Sequence, residues 1–216
     1  MKGDLLQAHV LSTRVISNVD SGLAKQLNLS PDVKSLGLIS ADCDDVTYVA
    51  LDEATKAADV KVVYGRSMYA GADNANTKLA GEVIGILGGP NPAEIKSGLA
   101  RAVQVIEEEA HFVSANDTDD VVYFAHTISR TGSYLSEGAG RPEGEALAYL
   151  IAPPLEAMYA LDAAMKAADV QVGTLYAPPS ETNFGGGLLY GSQSACKAAC
   201  EAFATAVKEI AENPKI

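Results

Sequence analysis

Tryptophan is absent from this sequence of 216 residues, cysteine is rare, and no long hydrophobic run occurs. The three cysteines, Cys43, Cys196 and Cys200, lack the even number and the spacing of a disulfide framework, which favours a reducing compartment. No stretch approaches the roughly 20 apolar residues of a membrane helix, and the N-terminus lacks the apolar centre of a signal peptide. The sequence therefore predicts a soluble, intracellular protein without a membrane partner.

Basic residues are also few, since 16 Lys and Arg side chains stand against 28 Asp and Glu. The formal net charge is −12, and the isoelectric point is near 4.6. Nucleic acids and anionic membrane surfaces bind clustered Lys and Arg, so this balance argues against both as partners. An acidic chain suits solubility or a small cationic ligand.

Common catalytic motifs are missing as well. The sequence has no GxSxG, HExxH or CxxC pattern and no P-loop. Asp45, Glu82 and His126 are residue types that serve acid–base chemistry or metal-assisted hydrolysis, but nothing beyond their type supports such a role. We therefore predict a protein that is not an enzyme and has no catalytic residues, and we keep an enzyme that uses these three as an alternative.

One segment of the chain occurs twice. Residues 50–62 read ALDEATKAADVKV and residues 160–172 read ALDAAMKAADVQV, so that ten of thirteen positions are identical at an offset of 110. Similarity at a long fixed spacing indicates a duplicated unit. We predict a first domain over residues 1–110 and a second over residues 111–216, each near the lower end of ordinary domain size.

Each copy has the predicted order strand, strand, helix, strand, loop, strand, helix. This mixture predicts an α+β fold in which a small antiparallel sheet is covered by helices. The predicted strands are residues 10–19, 35–40, 60–64, 81–89, 121–129, 145–151, 170–172 and 188–190. The predicted helices are residues 20–29, two repeat helices that begin near Asp44 and Pro154, a helix capped by Asn91 with Glu94 able to reach back to the cap, and residues 194–212.

Three segments are predicted to be irregular. Residues 65–80 and 173–187 are long loops at matching places in the two copies, and residues 130–141 are also loop-like. Loops as long as 65–80 and 173–187 in a compact domain are usually functional.

The entrance to the first repeat helix is acidic. Asp44 and Asp45 are expected at the N-cap or in the first turn, where they suit the positive helix end. With Asp42 and Cys43 they form a cluster that could receive an ammonium group, and Glu82 could join it. In the second copy the corresponding positions hold Pro153 and Pro154.

The cysteines of the last helix and a histidine could also hold a metal ion, but a structural role explains each of them more simply. Cys196 and Cys200 lie four residues apart on an apolar helical stripe, which favours small core residues. His126 lies in a strand among apolar neighbours, so a partly buried histidine is favoured over a metal ligand or a pH-sensitive contact.

Specific motifs run along nearly the whole chain. They are SLGLISADCDDVTY at 35–48, the repeat at 50–60, GGPNPAE at 88–94, SRTGSYL at 129–135, APPLEA at 152–157, ETN at 181–183 and GSQSACKAA at 191–199. Together they resemble the shell proteins of bacterial microcompartments and, more narrowly, the L-type shell protein of ethanolamine-utilisation microcompartments. The first nine residues match poorly but carry no motif.

The resemblance implies a circularly permuted shell domain, duplicated in tandem, in a structural protein of the microcompartment shell in the cytoplasm. Such chains form homotrimers that resemble a hexagonal tile and assemble with other shell proteins. The resemblance also implies that the long loops of both copies meet at the trimer axis and gate a central pore for small metabolites, with Tyr69 as a plug.

A second implied site is a small acidic pore in each subunit that holds ethanolamine. By match to the family it comprises Asp44, Asp45, Glu82, Phe112, Thr182, Asn183 and Phe184. Carboxylates suit a primary ammonium, and Phe112 supplies an apolar wall or a cation–π face. No cofactor is expected to be required, although the family implies zinc in an open-pore state. The zinc ligands implied by match are Asp44, Asp45, His126 and Glu156. A trimeric sensor that binds a small amine is the alternative function.

Overall fold

The computed structural model describes residues 1–67, 82–177 and 184–215, and the chain divides into two compact units. The N-terminal unit comprises Gln7–Ala110 and Gly132–Leu135. The C-terminal unit comprises Met1–Leu6, His111–Thr131 and Ser136–Ile216. Each unit thus includes a short segment from the part of the sequence that mainly builds the other.

The elements of the described residues are as follows. The strands are β1 (Leu5–Gln7), β2 (Val10–Ile16), β3 (Ser35–Ala41), β4 (Lys61–Ser67), β5 (Val83–Gly89), β6 (His111–Ser114), β7 (Val122–Ile128), β8 (Ala146–Ala152), β9 (Val170–Tyr176) and β10 (Gly185–Gly191). The helices are α1 (Ser21–Gln26), α2 (Asp44–Ala57), α3 (Pro92–Gln104), α4 (Ser133–Gly138), α5 (Pro154–Ala167) and α6 (Gln193–Glu212). A π-helical turn, Val105–Glu109, follows α3.

The N-terminal unit contains a four-stranded antiparallel sheet in the order β2-β3-β5-β4. The two central strands carry mostly buried residues. Helices α2 and α3 pack against each other and against β5, and α3 also packs against β3. Ile95, Leu99 and Ala102 repeat at helical spacing along α3 and are all buried, as the apolar stripe predicts.

The start of α3 is largely as predicted. The Asn91 side chain accepts hydrogen bonds from the N–H groups of Ala93 and Glu94, and Pro92 occupies the first helical turn. The Glu94 carboxylate accepts a hydrogen bond from the Asp59 N–H at 2.8 Å, rather than reaching back to the cap. The capping-box expectation is therefore wrong, because this carboxylate secures the end of the α2–β4 connection.

The C-terminal unit contains a six-stranded sheet in the order β1-β6-β7-β8-β10-β9. Strand β8 is buried along its whole length. Helices α5 and α6 pack against each other and on this sheet. The core stripe of α6 consists of Cys196, Ala199, Cys200, Phe203, Ala206 and Val207, so both cysteines are core residues, as predicted.

The two units repeat the same local structure. The Val19 N–H donates to the Lys34 carbonyl, and the Thr131 N–H donates to the Glu145 carbonyl, both at 3.0 Å. After α1 and α4, a residue with positive φ closes the helix, and these residues are Asn28 at 52° and Gly140 at 64°. The α+β fold with antiparallel sheets and helices, predicted from the repeat, is confirmed.

Several boundaries differ from the predictions. Strands β1 and β6 were missed, because three or four residues are too few to show an alternating pattern. The loop predicted over 130–141 contains α4. Strands β4 and β9 continue into the predicted loops 65–80 and 173–187, and β10 begins inside the second, because glycines there masked the strand pattern.

Candidate functional site

The acidic cluster of the N-terminal unit lies where β3 ends and α2 begins. Cys43 is the N-cap of α2, and its side chain makes no cap hydrogen bond. Asp44 and Asp45 occupy the first turn of α2, and the Asp44 Oδ1 atom accepts a hydrogen bond from the Asp45 N–H at 2.9 Å. The two carboxylates therefore face the positive end of a 14-residue helix.

Both aspartates are buried, each with 5% of its surface exposed. Burial, and then the neighbouring charge of Asp45, raise the pKa of Asp44 well above its usual value, although a hydrogen bond with the Ser67 side chain acts in the opposite direction. Burial also raises the pKa of the Cys43 thiol. Adjacent buried carboxyls resist double ionisation, and a bound cation or a retained proton relieves that repulsion.

Glu82 lies at the same end of the sheet as this aspartate pair. It directly precedes Val83, the first residue of β5, and Val83 pairs with Ser67 of β4 and Ala41 of β3. Because Ser67 also contacts the Asp44 carboxylate, the sheet register places Glu82 beside the start of α2. Glu82 is half-buried. The N-terminal unit thus gathers three acidic residues at one sheet end.

Asp42, which the sequence placed in the same cluster, has a different position. Its carboxylate accepts a hydrogen bond from the His9 N–H at 2.7 Å and lies 3.1 Å from the His9 ring Nδ1. The pair joins the start of β2 to the end of β3, where Asp42 N–H donates back to the His9 carbonyl. Asp42 therefore secures the strand end next to the acidic pair.

Ser67 is a polar residue of this site that the sequence analysis missed. It was assigned to the loop 65–80, but it ends β4. An extension of the VKVVY strand by three residues would have placed its side chain at this sheet end. Gly65 interrupts the apolar pattern and concealed that extension.

The aromatic residues of the predicted site lie in the C-terminal unit. Phe112 is fully buried, with its ring centroid 5.3 Å from that of Phe124 and 6.1 Å from that of Phe184. Phe184 is half-buried and directly precedes β10. Three other predicted site residues, Tyr69, Thr182 and Asn183, lie outside the described residues.

The predicted zinc ligands are distributed over both units. Asp44 and Asp45 belong to the N-terminal unit, whereas His126 and Glu156 belong to the C-terminal unit. The His126 ring lies parallel to the Phe124 ring at 5.4 Å, and Glu156 is in the first turn of α5. Within residues 1–67, 82–177 and 184–215, no group of three or more His, Cys, Asp or Glu side chains is arranged to hold a metal ion.

The corresponding sheet end of the C-terminal unit is apolar. Pro154 and Leu155, rather than Pro153 and Pro154 as predicted, stand where the first copy has Asp44 and Asp45, because α5 begins 110 residues after α2. Phe184 stands where the first copy has Glu82. The equivalence follows from the strand register, since Gly185 pairs with Ala152 as Val83 pairs with Ala41. Among the residues that the structure describes, the acidic site is therefore found in the N-terminal unit alone.

No helix among the described residues is long and apolar enough to cross a membrane.

The chain is similar to known proteins over nearly its whole length. The BMC domain model matches residues 35–119. Bacterial microcompartment shell protein EutL of Clostridium perfringens (strain 13 / Type A) is 67% identical over 214 residues, which is 99% of either chain. The EutL shell protein of Escherichia coli (strain K12) is 57% identical over 98% of this chain and 96% of its own. The crystal structure of ethanolamine utilization protein EutL from Leptotrichia buccalis C-1013-b has a TM-score of 0.96 and 70% identity, with 100% of both chains covered.

Proposed function

Because the chain belongs to the EutL family of bacterial microcompartment shell proteins, we propose that it is a structural protein of an ethanolamine-utilisation microcompartment shell and not an enzyme. The relatives with more than half of their residues identical are named shell proteins. A sensor that binds a small amine is therefore not favoured. The shell role also agrees with a duplicated domain whose two copies have the same local structure.

The chain forms a trimer in which six domains surround a central pore. Three tandem copies approximate sixfold symmetry, and rotational closure leaves the outer edges free to contact further shell proteins. The segments that connect β4 to β5 and β9 to β10 gate the pore, and Tyr69 is the plug. The support for this gate is the matching place of both loops in the two copies, together with the family resemblance.

The acidic sheet end of the N-terminal unit binds a small primary amine, with ethanolamine as the expected ligand. The observation that carries this proposal is the buried pair Asp44 and Asp45 beside Glu82. An ammonium group donates three hydrogen bonds and neutralises carboxylates that repel one another. The remaining residues of the predicted site, Phe112, Thr182, Asn183 and Phe184, stay a prediction, because they belong to the C-terminal unit or lie outside the described residues.

Calorimetry with ethanolamine tests this assignment. We expect Asp45→Asn and Glu82→Gln each to weaken binding at least tenfold, because each removes one carboxylate charge. Asp59→Asn is the matched control, since Asp59 is exposed and precedes the opposite end of β4. Unchanged affinity in both site variants, with their thermal unfolding also unchanged, would refute the amine site.

The predicted zinc site stays a prediction. Asp44 and Asp45 supply hard oxygen ligands, but a zinc ion is usually four-coordinate. The described residues of one chain do not complete that set. Titration with zinc in the presence and absence of ethanolamine tests whether the two ligands compete for the same carboxylates.

A further inference from the structure

Ser67 lies at the acidic sheet end of the N-terminal unit, and the sheet fixes its position there. It ends β4 and pairs with Val83, the first residue of β5. Val83 also pairs with Ala41, the last residue of β3, from which the chain turns into α2. Because Ser67 is a paired strand residue, its side chain has a defined place in the register of the sheet.

The packing of β4 on α2 directs the Ser67 side chain at Asp44. Two residues earlier on the strand, a Cβ atom on Gly65 would lie 3.6 Å from the Cε1 atom of Tyr48 on α2. The strand follows α2 after three residues and packs against it, so the two elements run in opposite directions. Residues two apart on a strand face the same side at about 6.6 Å, and residues four apart on a helix are separated by about 6 Å. The contact of Gly65 with Tyr48 therefore brings Ser67 to Asp44.

A hydrogen bond joins these two side chains. The Asp44 carboxylate is hydrogen-bonded to the Ser67 side chain, and its Oδ1 atom also accepts from the Asp45 N–H at 2.9 Å. Opposite an ammonium group the carboxylate is ionised and only accepts hydrogen bonds, so the hydroxyl is the donor. Two donors, one on α2 and one on β4, thus hold the carboxylate in one orientation. An ionised carboxylate has about four lone-pair sites, so acceptor capacity remains for a bound ammonium group.

The second copy of the repeat lacks this hydroxyl together with the acids. At the repeat offset of 110, Ser67 corresponds to Ala177, which has no side-chain donor. The register of β9 on β10 follows the same alignment as that of β4 on β5. The positions of the three acids hold Pro154, Leu155 and Phe184 in that copy. The hydroxyl thus occurs with the carboxylates and is replaced where they are replaced, which indicates that it serves them.

We propose that Ser67 is a positioning residue of the amine site and holds the Asp44 carboxylate in the orientation that receives the ammonium group. This inference rests on the proposed function, because it assigns a further residue to the site formed by Asp44, Asp45 and Glu82. Ser67 acts through Asp44 and needs no contact with the amine. Binding sites depend on such supporting hydrogen bonds, which lock the side chains that contact the ligand.

Calorimetry with ethanolamine tests the role of the hydroxyl. We expect Ser67→Ala to weaken binding about five- to tenfold, because the Asp44 carboxylate is buried and water does not replace the lost donor. Ser67→Thr keeps a hydroxyl at the same strand position and should bind ethanolamine as the wild type does. Ser12→Ala is the matched control, since it removes the hydroxyl of an exposed serine on β2 and should leave the affinity unchanged.

A double-mutant cycle distinguishes positioning from a general structural effect. If Ser67 acts through Asp44, then Ser67→Ala should weaken ethanolamine binding no further in a chain that already carries Asp44→Ala. A substitution that merely loosens the fold would weaken binding in both backgrounds. The cycle therefore measures the one interaction on which the proposal depends.

The outcomes separate this role from the amine site itself. Wild-type affinity in Ser67→Ala, binding by Ser67→Thr as weak as that by Ser67→Ala, or a further loss when Ser67→Ala is added to Asp44→Ala would overturn the positioning role while the amine site stands. An equal loss in Ser12→Ala would overturn it too. A wild-type chain that does not bind ethanolamine would overturn the amine site, and the positioning role with it.

Discussion

A hydrogen bond of 2.7 Å joins the Asp52 carboxylate to the Gly132 backbone N–H, although 80 residues of sequence separate them. Asp52 also accepts from the Leu135 N–H. Burial raises the pKa of Asp52, despite the two backbone hydrogen bonds that lower it. The two hydrogen bonds of this carboxylate thus hold a distant segment against α2. The free-energy cost of burying the carboxylate offsets part of the stability that they contribute.

Removal of the Asp52 carboxylate should destabilise the chain. Asp52→Ala leaves two N–H groups of a buried segment without this acceptor, and we expect a loss of about 2–4 kcal/mol in the free energy of unfolding. Asp162→Ala is the control at the repeated position, and we expect a change within about 0.5 kcal/mol. Urea denaturation at one fixed protein concentration measures both, and equal losses would contradict the role of Asp52.

A methyl group at Gly132 should also destabilise the chain. The added Cβ would lie 2.2 Å from the Thr55 hydroxyl oxygen and 2.6 Å from the Asp52 carbonyl oxygen. We expect Gly132→Ala to cost about 1–3 kcal/mol of unfolding free energy, as overpacking does. Gly138→Ala at the end of α4, the helix that follows Gly132, meets no atom within 4 Å and should cost nothing. Thermal unfolding compares them, and an unaffected Gly132→Ala variant would show that the segment is loosely held.

The acidic pair should make stability depend on pH. Since the pKa of Asp44 is raised in the folded chain, the native state holds its proton over a range in which the unfolded state has lost it. The unfolding free energy therefore falls as pH rises from about 3.8 through the raised pKa. Asp44→Asn should make this slope smaller, leaving the part due to the raised pKa of Asp52, and should make the ligand-free chain more stable at pH 7.

Urea denaturation between pH 4 and pH 8, in buffer with a chelator, measures that slope. The control is Asp32→Asn, because a hydrogen bond with Lys61 lowers the pKa of the exposed Asp32 to about 2, below the tested range. Its slope should match that of the wild type. An Asp44→Asn variant that is less stable than the wild type at pH 7 would contradict the burial of a strained carboxyl pair.

The cysteines should be unreactive in the native state. All three are buried as free thiols. Burial raises the pKa of Cys200 to about 11, and it also raises the pKa values of Cys43 and Cys196. Because the thiolate is the nucleophile, a disulfide reagent at pH 7 should label the chain only as fast as it unfolds. Rapid labelling of one thiol in folded protein would show that its helix opens locally.

The fold was predictable because the sequence contains two copies of the same domain. The repeated helix fixed the offset, and the apolar runs on either side of it placed β3, β5 and β8 with errors of one or two residues. Asn91 and Pro92 located α3 by cap chemistry alone. The prediction missed the shortest strands: β1 and β6 are three and four residues long and are recognised only by their pairing within the six-stranded sheet.

The candidate site was predictable only in part. Asp44 and Asp45 stood out as acids at a helix start, but spacing alone does not bring Glu82 to them. The register of Val83 against Ala41 and Ser67 does so. The importance of Asp52 and Gly132 could not be predicted, because the two repeat helices are nearly identical in sequence. Nothing in that repeat indicates that Asp52 is buried under residues 132–135 while Asp162 is exposed.

The contrast between the acidic sheet end of one copy and the apolar end of the other has a genetic consequence. When a gene encodes a domain once, every copy of that domain in an assembly carries the same substitution. In a doubled gene, selection can place charge in one half while the other half keeps Pro154, Leu155 and Phe184. Alternate positions around the proposed trimer can then differ in chemistry without a second gene product.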